Sequence, residues 1–255
     1  MTSESLGLSV CPHDTAKNPD RWFTFAQYLG QQLEATRIRF SPSAGFADYH
    51  RRIESADIVY ANPQDTFNLC TGHGFHVVAR ASNLFDEVVI VANSRMSALT
   101  PNLSLRSVAG REVASVPSML PTCLALAKLR MDGVAPARLV GKDSWLAVMN
   151  AVARNEVPFG FIYKDYFDGL GRLSRKMVRV LDETNEGSVY HSFLLNPRRE
   201  SQRGPVTRVL LGMHETPQGK AVLSELGMER LIASDEAILG RVTELRGLLD
   251  QVALQ

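Results

Sequence analysis

Several polar and aromatic side chains stand where short apolar runs give way to helix-starting turns. Tyr60 and Asn62 close the run Asp57-Ile-Val-Tyr-Ala and precede Pro63, Gln64 and Asp65. A phenol and an amide at such a turn can hold a ligand by hydrogen bonds; the other reading is turn chemistry, since Asn before Pro initiates turns. Ser118, Thr122 and Cys123 lie in Pro117-Ser-Met-Leu-Pro-Thr-Cys, ahead of a second expected helix. Hydroxyls at a helix N-terminus suit an anion, because the dipole and the unpaired N–H groups both favour negative charge. Plain N-capping is the alternative. A helix N-terminus also lowers thiol pKa, which singles out Cys123. Ser144 repeats the arrangement before a third helix, beside Trp145, which either stacks on a ligand or packs in a core. Tyr163 ends an apolar strand and is expected to face a cleft. His13 follows the first strand and His191 lies on the last, each ligand-binding or, as a lone His more often is, structural. Asp86 and Glu87 read as a solvated turn rather than a cation site.

The elements that must position these groups alternate. Strands are expected at 6–10, 38–40, 57–60, 76–79, 87–92, 113–116, 138–141, 159–163, 178–181 and 189–195. Helices are expected at about 20–34, 46–53, 63–71, 121–131 and 144–154, the first with Trp22, Phe23, Phe25, Ala26, Leu29 and Leu33 on its apolar face. Cys11-Pro-His-Asp14 reads as a turn, and everything after Pro197 as helical, at 204–213, 217–226, 229–232 and 235–250. Strand–helix alternation predicts an α/β protein with mostly parallel sheets. Two similar strand-to-helix junctions suggest two lobes facing across a cleft, with ligand at the carboxyl edge of the strands. The apolar strands at 87–92 and 189–195 are placed where the chain crosses out and back. Lobe 1 is then 1–91 with 192–255, and lobe 2 is 92–191.

Composition narrows the function. Lys plus Arg is 28 and Asp plus Glu 27, a net charge of +1, without the basic excess expected of a nucleic-acid binder. No apolar run reaches the 18 or so residues of a membrane helix. Met1-Thr-Ser-Glu-Ser-Leu-Gly shows no signal pattern, so the protein is cytoplasmic or begins after a removed signal. Three widely spaced cysteines, Cys11, Cys70 and Cys123, make no disulfide framework and have no zinc spacing. No catalytic motif, metal motif or cofactor fingerprint is present. The expectation is therefore no catalytic residues, no metal and no cofactor.

Read in order, Tyr60-Ala-Asn-Pro-Gln-Asp, Glu87-Val-Val-Ile-Val-Ala, Gly110-Arg-Glu-Val-Ala-Ser-Val, Glu156-Val-Pro-Phe-Gly-Phe-Ile and Leu211-Gly-Met-His-Glu-Thr-Pro through Gly219-Lys-Ala-Val-Leu resemble the phosphate/phosphite/phosphonate substrate-binding proteins of ABC transporters. The resemblance spans nearly the whole chain. It implies a two-lobed type II periplasmic-binding-protein fold with two crossover strands and hinge closure over a ligand. It also implies a periplasmic, non-enzymatic protein that takes a small anion or zwitterion of the phosphonate/phosphate-like class, serving an ABC transporter permease or a sensor kinase. Two departures stand out. Where the family's second-lobe turn is rich in Ser, Thr and Gly, this chain has Met119, Leu120 and Pro121. Where the family often has His at the following helix, this chain has Trp145. Two other classes remain open: a cytosolic enzyme on the same fold, and a sensor of a soft oxyanion such as arsenite acting through Cys123.

Overall fold

The computed structural model describes residues 5–16, 18–34, 36–99, 102–234 and 236–254. Strands run Ser5–Val10 (β1), Arg37–Phe40 (β2), Ile58–Ala61 (β3), His76–Ala81 (β4), Val88–Asn93 (β5) and Glu112–Ser115 (β6). They continue with Arg138–Gly141 (β7), Phe159–Tyr163 (β8), Val178–Glu183 (β9), Ser192–Leu195 (β10) and Leu231–Ile232 (β11). Helices are Pro12–Thr15 (α1), Asp20–Gln32 (α2), Phe46–Ile53 (α3), Pro63–His73 (α4), Ser94–Leu99 (α5) and Leu120–Met131 (α6). Then come Trp145–Ala153 (α7), Lys164–Asp168 (α8), Arg172–Arg175 (α9), Glu200–Gly212 (α10), Pro217–Glu225 (α11) and Ala237–Arg246 (α12). The chain divides into two compact units: Met1–Phe85 with Tyr190–Leu239, and Asp86–Val189 with Gly240–Gln255.

Unit 1 is built on a six-stranded sheet in the order β11-β4-β10-β3-β1-β2. All four residues of β3 are buried, and its side chains alternate between two cores, as the period of a strand requires. Ile58 and Tyr60 join Trp22, Phe25 and Phe193; Val59 and Ala61 join Tyr49, Leu69 and Phe75. The apolar stripe of α2 is buried at Trp22, Phe25, Ala26 and Leu29. Phe23 departs from the expected face: it is 46% exposed and meets Phe40 edge-on, because it falls one position off the stripe. Helix α4 begins at the Asn62 cap with Pro63 in its first turn and ends at Gly74. With φ at 68°, Gly74 adopts the left-handed conformation that a Cβ disfavours. Its amide closes on Cys70 and that of Phe75 on Leu69, which carries α4 two residues past the expected end.

Unit 2 has a five-stranded sheet in the order β7-β6-β8-β5-β9. Every residue of β5 is buried, as its unbroken apolar run predicts for a strand covered on both faces. One face packs Val89, Val91 and Ala114 against Trp145, Val148 and Val152.

The sheets are mixed rather than mostly parallel. Parallel pairing joins β2, β1 and β3 in unit 1 and β7, β6 and β8 in unit 2. The strands β5 and β10 insert antiparallel to their neighbours, and β11 pairs antiparallel with β4. The segment expected as a helix at 229–232 is β11, which gains an edge partner in β4 once Gly227 (φ 71°) turns the chain. Cys11–Asp14 is not a simple turn but opens a helical one, α1. Helix α10 starts four residues before the expected Gly204, with Pro205 inside it. The expected boundaries at 91/92 and 191/192 fall instead at 85/86 and 189/190, and the C-terminal residues belong to unit 2 rather than lobe 1. The cause of the last difference is direct pairing: the Leu139 amide donates to the Ala253 carbonyl at 2.9 Å, and Leu139 bridges Leu254.

Candidate functional site

In unit 1, β1 and β3 are parallel while β10 runs against β3, with Val10 beside Tyr60 and Ser192 beside Ala61. This brings residues 11–14, 62–65 and 191 to one edge of the sheet. Cys11 caps α1, and its amide donates to the Tyr60 carbonyl at 2.9 Å. The Asp14 carbonyl accepts from Arg21 Nη2 at 2.5 Å and from Trp22 Nε1 at 3.1 Å, so the loop is held from behind. The Asp14 carboxylate meets His191 Nδ1 at 2.9 Å. Asn62 caps α4: its Oδ1 accepts from the Asp65 amide at 2.9 Å, and its Nδ2 donates to Asp65 Oδ2 at 2.6 Å and to Cys11 Sγ at 3.8 Å. Asp65 also meets His50 Nε2 at 3.0 Å. Burial raises the Asp65 carboxyl above its usual range, partly offset by His50 and Asn62.

Among the expected ligand residues of this unit, His13 and His191 reach the edge. His13 is half-buried with its ring edge-on to Phe46. His191 is buried, its ring 5.5 Å from that of Tyr60. Asn62 is at the edge as a helix cap. Tyr60 is 1% exposed, its ring among Trp22 at 5.0 Å and Phe193 at 4.6 Å, because its place in the alternation of β3 turns it toward the larger core.

In unit 2 the parallel strands β7, β6 and β8 end at a common edge, where α7, α6 and α8 begin. Ser118 is exposed in the turn before α6. Ser144 is exposed and caps α7, its Oγ accepting from the Ala147 amide at 3.2 Å. Tyr163 closes β8 half-buried, and its hydroxyl donates to Asp86 Oδ1 at 3.1 Å. Thr122 points inward, fully buried: it donates to the Val116 carbonyl at 2.7 Å and accepts from Ser115 Oγ at 2.7 Å. Trp145 is buried against Val148 and Met149, its ring 6.4 Å from that of Tyr163. The expected lowering of the Cys123 thiol is reversed. Cys123 is 1% exposed, and burial pushes it up to about 12 despite the opposing pull of Arg246. A thiol buried in apolar surroundings is inert.

Asp86 and Glu87 are not a solvated turn. Both are buried. Glu87 accepts from the Thr184 hydroxyl and, at 2.8 Å, from the Gly187 amide. Their position directly ahead of the apolar run Val88–Ala92 of β5 was the available signal. Cys11 and Asp14 were not expected at the unit 1 edge. Their partner His191 lies 177 positions from Asp14, so no local spacing reveals the group.

A family described as "ABC transporter, phosphonate, periplasmic substrate-binding protein" matches residues 8–238. The chain belongs to this family. Its members are substrate-binding proteins rather than enzymes, and they work with ABC transporter permeases. The phosphonate-family fold is seen in a Prochlorococcus marinus protein in complex with methylphosphonate, at 15% identity and a TM-score of 0.71, covering 98% of this chain and 100% of that one. A binding component of a Pseudomonas aeruginosa ABC phosphonate transporter shares 12% identity at a TM-score of 0.70, covering 98% and 87%. The periplasmic aliphatic sulphonate binding protein of Escherichia coli shares 15% identity at 0.69, covering 97% and 92%. These establish the type II binding-protein fold for this chain. No curated protein matches it. Among the described residues, no helix is long and apolar enough to cross a membrane.

Proposed function

We propose that this phosphonate-family protein binds a small oxyanion through the hydroxyls and helix N-termini at the carboxyl edge of the unit 2 sheet, and delivers it to an ABC permease. One observation carries the reading. Ser118 and Ser144 are both exposed immediately ahead of α6 and α7, and those helices follow the parallel neighbours β6 and β7. Both N-termini therefore lie at one edge, each equivalent to roughly half a positive charge, with amides suited to anions. The named ligands of two similar structures, methylphosphonate and aliphatic sulphonate, are of the class such an edge favours. Tyr163, which closes β8 at the same edge of unit 2, is the further contact in this reading. Tyr60, Thr122, Cys123 and Trp145 support the turns from within. The burial and raised pKa of Cys123 favour the oxyanion reading over a thiol-dependent sensor.

The test is calorimetric titration with methylphosphonate, methanesulfonate and phosphate. At least one should bind at one equivalent and be recovered unchanged by NMR. Ser118→Ala and Ser144→Gly should each weaken binding about 5- to 150-fold, the range for losing one hydrogen bond to a charged or buried group. Gly is chosen at 144 because it keeps most of the capping preference. Undiminished affinity in both variants would overturn the site, and chemical conversion of the ligand would overturn the non-enzymatic assignment.

A further inference from the structure

We infer that Cys11, Asp14 and His191 form a binding site for a thiophilic divalent cation, with Zn2+ the best chemical fit. The inference concerns unit 1 alone and stands apart from the oxyanion reading of unit 2. One ligand atom from each of the three residues lies within 4.8 Å of the other two. Cys11 and His191 are buried and Asp14 is half-buried, so these are not dispersed surface groups.

The donor set selects the metal. Thiolate, imidazole and carboxylate together suit a borderline-soft ion; hard cations such as Mg2+ and Ca2+ call for oxygen ligands. A tetrahedral ion with Zn–N and Zn–O distances of about 2.0–2.2 Å and Zn–S of about 2.3 Å holds its donors roughly 3.3–3.7 Å apart. Asp14 Oδ2 and His191 Nδ1 are now 2.9 Å apart in a direct hydrogen bond. Opening that pair by about 0.4–0.8 Å and drawing in Cys11 Sγ, which lies within 4.8 Å of both atoms, would replace the bond with three bonds to the ion.

The backbone supports such a site. Cys11 caps α1 and Asp14 sits three residues on, with its amide on the Cys11 carbonyl at 3.0 Å. The Cys11 amide is fixed to β3 and the Asp14 carbonyl to Arg21 and Trp22. Asn62 Nδ2 lies 3.8 Å from Cys11 Sγ, an outer donor of the kind that steadies a metal-bound thiolate. Charge also balances. Burial pushes the Cys11 thiol up to about 12, as it does Cys123, but Cys11 Sγ has Asp14 and His191 beside it; a cation held by all three would displace the thiol proton to solvent, and thiolate plus carboxylate neutralise the dication. Three protein ligands leave a fourth position for water or an exogenous oxygen.

Co2+ is the probe, because its thiolate charge-transfer and tetrahedral d–d absorption report both sulfur ligation and geometry. Metal-free protein should take up one equivalent, develop both bands and lose them when Zn2+ is added. Cys11→Ser should abolish the charge-transfer band, while Cys70→Ser and Cys123→Ser should retain it. Asp14→Asn and His191→Gln should weaken Co2+ binding by more than the about 10- to 100-fold typical of losing an outer-shell partner. Thermal melts of each variant control for folding. Folded wild-type protein that develops no thiolate–cobalt band would overturn the inference without recourse to any variant. So would a band that survives Cys11→Ser or disappears with Cys70→Ser or Cys123→Ser.

Discussion

The carboxylate of Asp57 anchors the amino end of β3, opposite the edge that carries Asn62. Its Oδ2 accepts from the Gly7 amide at 2.7 Å, and its Oδ1 from Arg198 Nε at 3.0 Å and Arg199 Nε at 2.7 Å. Burial alone would raise this carboxyl; the hydrogen bonds from Arg199, Gly7 and Arg198 outweigh it and hold it below its ordinary value of 3.8. A depressed carboxylate contributes stability that is fully present above its unfolded pKa and is lost as pH falls through the lower folded one. Asp57→Asn should therefore cost about 1–3 kcal/mol near neutral pH, the scale of hydrogen bonds to a buried charge. The difference from wild type should hold down to about pH 5 and shrink below pH 4. Denaturant titrations at pH 7, 5 and 3 would measure it, and a gap that widens on acidification would refute the assignment. Cys123 gives a second prediction at this scale. With its thiol at about 12 and shielded from solvent, it should resist iodoacetamide at pH 8 in the folded protein and react once denaturant exposes it; rapid labelling of the native state, read by peptide mass spectrometry, would contradict the burial.

Helix α11 illustrates how an element depends on one small residue. Thr216 caps it by accepting from the Gly219 amide at 3.0 Å, and Tyr28 of α2 meets the Thr216 hydroxyl at 3.3 Å. A Cβ on Gly219 would stand 2.1 Å from the Met213 carbonyl oxygen and 2.8 Å from the Tyr28 hydroxyl. Gly219→Ala must push α11 off its neighbours and should cost about 1–3 kcal/mol, as overpacking does. Gly240→Ala, in α12 with open space around it, should be neutral or slightly stabilising. Equal melting points for the two variants would show that α11 is not packed as described. At this scale much was legible beforehand. Asn62 before Pro63 and Ser144 before its apolar run announced two helix starts, and the unbroken run of β5 announced burial on both faces. What the sequence could not convey was which face of a strand meets which core. Tyr60 lies in a strand buried on both sides, so its identity alone did not reveal that it points away from the edge. Two-residue β11 is too short to show a period, and only its partner β4 makes it a strand. Cys11, Asp14 and His191 come together through sheet pairing between distant segments, which no spacing rule registers.

The division of the whole chain rests on its last residues. The first residues of helix α12, Ala237–Leu239, belong to unit 1, and Gly240–Gln255 belongs to unit 2. Arg241 Nη2 meets Glu186 at 2.5 Å and its Nε meets Ser188 at 3.2 Å, while Val242 and Leu245 are fully buried. At the far end the Ala253 carbonyl takes the Leu139 amide, which makes the terminal segment a partner for the outer edge of β7. Without that segment, β7 keeps only its parallel neighbour β6 and exposes a row of unpaired backbone groups. Deleting residues 240–255 should therefore loosen unit 2 selectively. Hydrogen exchange followed by mass spectrometry should show protection falling across 138–141, with little change in β1, β3 and β10, since local opening follows the contacts removed. The opposite pattern, with β3 and β10 exposed and β7 still protected, would return the C-terminal segment to the lobe expected from sequence. Because β7 leads directly into the Ser144 turn, the same deletion should weaken binding of whichever oxyanion the intact protein takes. It should leave the Co2+ bands of the Cys11 group unchanged. That separation would distinguish the two units by function as well as by packing: if both signals were lost together in a truncated protein whose unit 1 exchange is unaltered, the cation site could not reside in unit 1 alone.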